Sequence, residues 1–163
     1  MKSASPLLAA CLAMAAPAWA RDSLGLYASW GAFKDPAAPR CYAIAMADPS
    51  ARQRDYQPYV AVGTWPRRQL RNQIHFRLSR AVSARTPIVL AIGSRNFALT
   101  GGGGDAWAAN AGDNAAIIAA MRSTPTMHVS ARDSRGQPFA NYWPLAGAAS
   151  AMDAAAIGCA RVG

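Results

Sequence analysis

The residues of this chain able to do acid–base or nucleophilic chemistry are few: two histidines, His75 and His128, eight aspartates, no glutamate and three cysteines. A hydrolytic site would set one histidine between a nucleophilic hydroxyl and an orienting carboxylate. Serines are plentiful, but no G-x-S-x-G elbow marks one as a nucleophile. No two aspartates form a clear close pair for acid–base work. A zinc centre needs more nitrogen and sulfur donors than two histidines supply once the cysteines are paired. The run Gly101-Gly102-Gly103-Gly104-Asp105 lacks the Lys-Ser/Thr that completes a phosphate-binding loop. It occurs once, unlike calcium-binding repeats, and reads as a flexible loop leading to Trp107. These features point to a non-enzymatic protein with no metal and no cofactor. A small periplasmic hydrolase using His75 or His128 is the alternative, and a purely structural envelope factor is another.

The first twenty residues, MKSASPLLAACLAMAAPAWA, set the expected compartment. Lys2, an apolar run and an A-x-A ending at Ala20 are the parts of a secretory signal peptide. The run falls short of the roughly 20 apolar residues that a spanning helix needs. Cleavage after Ala20 leaves residues 21–163 as one domain, periplasmic or secreted, with no transmembrane segment. A second pattern, Leu8-Ala9-Ala10-Cys11, resembles a lipoprotein processing box, with Cys11 as the lipidated residue. The apolar run continues past Cys11, which favours ordinary cleavage. Two cysteines then remain, Cys41 and Cys159, and in an oxidising compartment such a pair is most simply a disulfide. Two buried free thiols are the other reading.

Lys2 is the only charged residue of that segment, so cleavage lowers the net charge from +9 to +8. Much of the surplus lies in one segment, with Arg52, Arg54, Arg67, Arg68, Arg71, Arg77, Arg80 and Arg85 against the single acid Asp55. Such a field attracts anionic partners. Export argues against nucleic acid, leaving an anionic envelope component or a protein; a plain solvated face is the bland reading. Trp65 stands next to Pro66-Arg67-Arg68, and Trp107 follows the glycine run. Trp and Arg are the residues favoured in binding hot spots. The partner-binding candidates are therefore Trp65, Arg67, Arg68, Arg71, Arg77 and Trp107. Trp30 and Phe76 are assigned to the core.

The elements that must position these residues are mostly strands. Leu24–Phe33, CYAIAMA from Cys41, Tyr59–Trp65, Asn72–Arg80, PIVLAIG from Pro87 and FALTG from Phe97 are rich in β-branched or aromatic residues, or alternate apolar with polar. In Asn72–Arg80, Ile74, Phe76 and Leu78 face one way; His75, Arg77 and Ser79 face the other. Asp113–Met121 reads as a short helix capped by Asp113. Thr126–Arg132 and Phe139–Trp143 form a hairpin across Asp133-Ser134-Arg135-Gly136, a type I turn sequence. Ser150–Asp153 is a capping box for a last helix, on which Met152, Ala156 and Cys159 share a face. Seven or more short strands with two small helices predict a mainly β, antiparallel sandwich.

Several of these features together resemble the invasion-associated locus B family of exported bacterial proteins, as a divergent branch. They are Trp30 followed by Cys41, the short helix at Ile117–Met121, the V-x-V-like strand Met127–Ala131, Gly136 in its hairpin, the Leu145–Gly147 step and the Ala-rich helix at Ala148–Ala156. The chain departs from the family pattern at Ser29 and Gly31, which flank Trp30, and at Ala148 after Gly147. The resemblance implies an immunoglobulin-like β-sandwich in the periplasm or at the cell surface. The family's association is with host-cell invasion; no chemistry transfers with the fold.

Overall fold

A computed structural model describes residues 21–50, 54–83 and 86–160. The leader, Cys11, Arg52 and Arg85 lie outside the described residues. Nine strands and two helices follow in the order β1 (Asp22–Tyr27), β2 (Trp30–Asp35), β3 (Arg40–Met46), β4 (Tyr59–Trp65), β5 (Leu70–Val82), β6 (Ile88–Ile92), β7 (Arg95–Ala108), α1 (Ala111–Met121), β8 (Thr126–Arg132), β9 (Pro138–Pro144) and α2 (Ala148–Ala160). All pairings are antiparallel, and the class is mainly β and sandwich-like, as expected. One continuous sheet, ordered β1-β2-β3-β4-β5-β7-β6-β8-β9, supplies both layers.

The sheet curls far enough for its ends to meet. Asp48 N donates to Tyr142 O at 2.8 Å, and Trp30 Nε1 donates to Pro144 O at 2.9 Å. Inside the curl, Phe76 and Trp143 meet with ring centroids 5.6 Å apart. Both are fully buried, as is Trp30. Burying a large apolar side chain stabilises by about 1.5–3 kcal/mol, so this inner face dominates the stability. Helix α2 packs across β1–β4 through Ala148, Ala151, Met152, Ala155 and Cys159. The strands beneath it present Ala32, Ala43 and Ala45, small side chains that let the helix lie close.

The Cys41–Cys159 disulfide is present, with Cα atoms 5.7 Å apart, inside the range a disulfide requires. It ties β3 to the end of α2 across 118 residues of sequence. A loop of that size limits the unfolded chain enough to stabilise by about 4–5 kcal/mol in the chain-entropy description.

Five local expectations are corrected. Leu24–Phe33 is not one strand but a hairpin, turning at Ala28 with φ 52°. The glycine run is not a loop: Gly101–Gly104 lies within β7. There β7 changes partner, pairing with β6 up to Leu99 and with β5 from Gly103 on. Glycine permits this bend because a Cβ on Gly101, at φ 159°, would sit 2.1 Å from Asp105 O. Helix α1 is capped by Asn110, whose side chain accepts from Asp113 N, so the cap sits three residues earlier than Asp113. Ser150 is inside α2, which begins at Ala148, so it caps nothing. Ala155, not Ala156, shares the buried face with Met152 and Cys159.

The Asp133 turn also locks the two layers together. Its carboxylate accepts from Arg135 N and Gln137 N, both at 2.9 Å, and from Arg80 Nη1 of β5 at 2.6 Å. Burial pushes this carboxyl up, but the Gln137 N–H, the Arg80 guanidinium and the Arg135 N–H outweigh it and hold it below the usual range.

Candidate ligand-binding trough on the outer sheet face

Successive strand residues point to opposite faces, so each inward residue named above has outward neighbours. Strand registers align these outward residues in three rows. Phe33, Tyr42, Gly63 and Gln73 are partners across β2 to β5. Gly31, Ile44, Ala61, His75 and Trp107 continue across to β7. Met46, Tyr59, Arg77 and Asp105 form the third row. The centre is small, Ala61 and Gly63, and the flanks are aromatic. The result is a trough of about 450 Å³ lined by Tyr42, Tyr59, Trp65, His75, Trp107 and Arg40, with Arg21 among the others.

Trp65 takes its place because Gly63 has no side chain. A Cβ built on Gly63 would stand 2.5 Å from the indole, so the ring lies over bare backbone. The register shift between Gly63 and Trp65 belongs to the same local bend. Phe33 covers Gly31 and Tyr56 covers Gly104 in the same way, each at 2.6 Å or less from an added Cβ. An aromatic ring replaces the packing that a strand glycine lacks.

His75 is fixed from three sides. Its ring stacks on Trp107 at 5.0 Å and 24°, and meets Tyr59 edge-on at 5.6 Å and 73°. Its Nε2 lies 2.9 Å from Asp105 Oδ1. An ionised carboxylate only accepts, so this contact places the ring proton on Nε2. Arg77 Nη1 donates to Asp105 Oδ2, and the Arg77 guanidinium lies 3.8 Å above the Tyr56 ring. Arg40 Nη2 reaches Asp35 at 3.4 Å while its guanidinium lies 4.8 Å over Tyr42. The acids of this face, Asp35 and Asp105, are therefore engaged by cations of the same face.

A His–Asp pair is part of a hydrolytic triad, and here it stands at an open trough. The third member is not supplied: no described hydrogen bond links a hydroxyl to His75, and both described cysteines are in the disulfide. Among the described residues no cluster of His, Cys, Asp or Glu could hold a metal ion. His128 is elsewhere, on β8, stacked on Tyr142 at 5.1 Å. What the trough offers is π faces, hydrogen-bonding groups and positive charge.

The candidates chosen from sequence do not form one patch. Trp65 and Trp107 meet with His75 at the trough, and Trp107 is 38% exposed. Arg67 and Arg68 are exposed on a 3₁₀ turn directly after Trp65. Arg67 also lines a cavity of about 230 Å³ beside the disulfide, with Lys34 and Arg40. Arg71 lines a separate cleft of about 710 Å³ between β5 and α1, which shares Trp107 and Gln73 with the trough. Arg77 is held by Asp105 and Tyr56 and braces the wall. Tyr42, Tyr59, Arg40 and Asp105 are additions. The signal for Tyr59 was the outward half of YVAVGTW, where aromatic and small residues alternate on one face, Tyr59, Ala61, Gly63 and Trp65.

Comparison with family models, with curated proteins and with solved structures finds no match to this chain. Among the described residues no helix is long and apolar enough to cross a membrane. The disulfide is compatible with export.

Proposed function

We propose that this is an exported, non-enzymatic binding protein, a divergent relative of the invasion-associated locus B family. It takes an envelope or host-surface partner onto the outer face of β3, β4, β5 and β7. The observation that carries the proposal is the convergence of Trp65, His75 and Trp107 on a trough floored by Ala61 and Gly63. Tryptophans that are partly accessible and stand beside arginines, as Trp65 and Trp107 do, are common anchors of binding surfaces. Among the described residues no ion pair engages Arg21, Arg67 or Arg68, so the surroundings of the trough favour an anionic partner. The leader-like pattern of residues 1–20, with an A-x-A ending at Ala20, supports a periplasmic or secreted location.

The test is retention of residues 21–163 by washed envelope membranes at low and high salt. Retention that weakens with salt, and weakens again in Arg67→Ala/Arg68→Ala, is expected. Retention indifferent to both contradicts the proposal.

The His75–Asp105 contact favours a hydrolase as the second reading. That reading requires a nucleophile or an activated water, and requires turnover of an ester or amide probe to vanish in His75→Ala. The binding reading expects no such turnover.

A further inference from the structure

We propose that the trough is a glycan site, and that its ligand is an oligosaccharide carrying carboxylates, of the uronic-acid type. This rests on the binding reading above and adds the class of ligand.

The trough lies on a sheet face, not at a sheet edge. The backbone groups of β3, β4 and β5 that border it are committed to ladders on both sides. An extended peptide therefore has no main-chain partners there, and strand addition is not available to it. A ligand on this face must be recognised by side chains alone.

Those side chains suit sugar rings. The six-membered ring of Trp65 lies against Gly63, and Trp107 lies nearly parallel to His75, at 24°. Rings held this way present π faces, the electron-rich side of an aromatic. The apolar face of a pyranose, with its C–H bonds pointing outward, packs on such a surface. Ala61 leaves the depth for a ring to settle between the walls, the space over Gly63 being taken by the Trp65 indole. Gln73 and His75 supply polar groups for hydroxyls at the same level. From Tyr42 on β3 to Trp107 on β7 the face crosses three strand spacings, roughly 14 Å, room for a chain segment longer than one ring.

Charge selects among glycans. Asp35 is paired with Arg40, and Asp105 with His75 and Arg77. Arg21 at the lining and Arg67 and Arg68 after Trp65 have no described carboxylate partner. An Arg fork matches a carboxylate in a bidentate way, which a neutral sugar does not exploit.

The experiment titrates residues 21–163 with oligogalacturonate, with a neutral glucan oligomer of equal length, and with phosphatidylglycerol vesicles. Heat and tryptophan fluorescence are read together. Saturable binding of oligogalacturonate is expected, at least about tenfold tighter than the neutral oligomer. Trp107→Ala is expected to weaken it about tenfold or more, and Ala61→Leu, which fills the floor without removing a wall, is expected to do the same. Arg67→Ala/Arg68→Ala should weaken binding and flatten its salt dependence. No saturable binding to oligogalacturonate overturns the glycan assignment. So does equal binding to vesicles that ignores Trp107→Ala and Ala61→Leu, since charge alone would explain it. In either case salt-sensitive retention by envelope, weakened both in Arg67→Ala/Arg68→Ala and in Trp107→Ala, would leave the binding reading standing. Loss of both would remove the two together.

Discussion

Trp65 rests on Gly63, two residues before it on the same strand, with room for no Cβ between them: an added one would stand 2.5 Å from the indole. The glycine thus sets the position of one aromatic wall of the trough. Gly63→Ala is expected to leave global stability nearly unchanged or slightly higher, because a strand glycine costs about 0.5–1 kcal/mol relative to alanine. The indole must move, so the near-ultraviolet circular dichroism should change while the far-ultraviolet spectrum does not. Identical near-ultraviolet spectra would show that Trp65 has another seat.

Trp30 and Pro144 join the two ends of the curled sheet through the indole N–H, at 2.9 Å. Trp30→Phe keeps most of the buried ring and removes that donor. A net hydrogen bond is worth about 0.5–1.5 kcal/mol, and an orphaned acceptor adds to the loss. The expected decrease in urea unfolding free energy is about 1–3 kcal/mol. A loss near zero would mean that the contact does not help to close the sheet.

The Cys41–Cys159 bond closes 118 residues of sequence. Cys41→Ala/Cys159→Ala is expected to lose roughly 2–5 kcal/mol of unfolding free energy, and reduction of the wild type should lose a similar amount. Wild type whose midpoint ignores reductant would contradict a structural role for the bond.

Asp133 links the β8–β9 turn to Arg80, and these hydrogen bonds hold its carboxyl below the usual carboxylate range. A depressed folded-state value contributes stability that is fully present above the unfolded value, about 4. That stability disappears as pH falls through the folded value. Acid unfolding should therefore steepen below about pH 4, and Asp133→Asn should flatten that limb while lowering stability at neutral pH. An unchanged acid limb in Asp133→Asn would remove Asp133 from the account.

Much of the fold was legible because alternation and turn residues report directly on strands and hairpins. Tyr59–Trp65 is a strand with those bounds, and Ile74, Phe76 and Leu78 face inward. The glycine run misled because four glycines look like a loop, whereas the long strand β7 needs them to bend from β6 to β5. The Ala28 turn was hidden because alanine gives no signal for a positive φ, 52° here. The site was half legible. Trp65 and Trp107 stand out by type, but the part played by Tyr42 and Tyr59 follows only from the cross-strand register, which pairs Tyr42 with Gly63 and Tyr59 with Met46 and Arg77. Arg77 looked like free charge, and only its neighbours Asp105 and Tyr56 show that it is committed.

The central claim is that the trough, and not general basic charge, holds the partner. Its most direct measurement is the equilibrium affinity of residues 21–163 for washed envelope, wild type against Trp107→Ala, a substitution that leaves the net charge unchanged. Trp107 is 38% exposed, so the fold should survive, with an unaltered far-ultraviolet spectrum. The affinity of Trp107→Ala is expected to be about tenfold or more weaker. Equal affinity in a folded Trp107→Ala protein would contradict it.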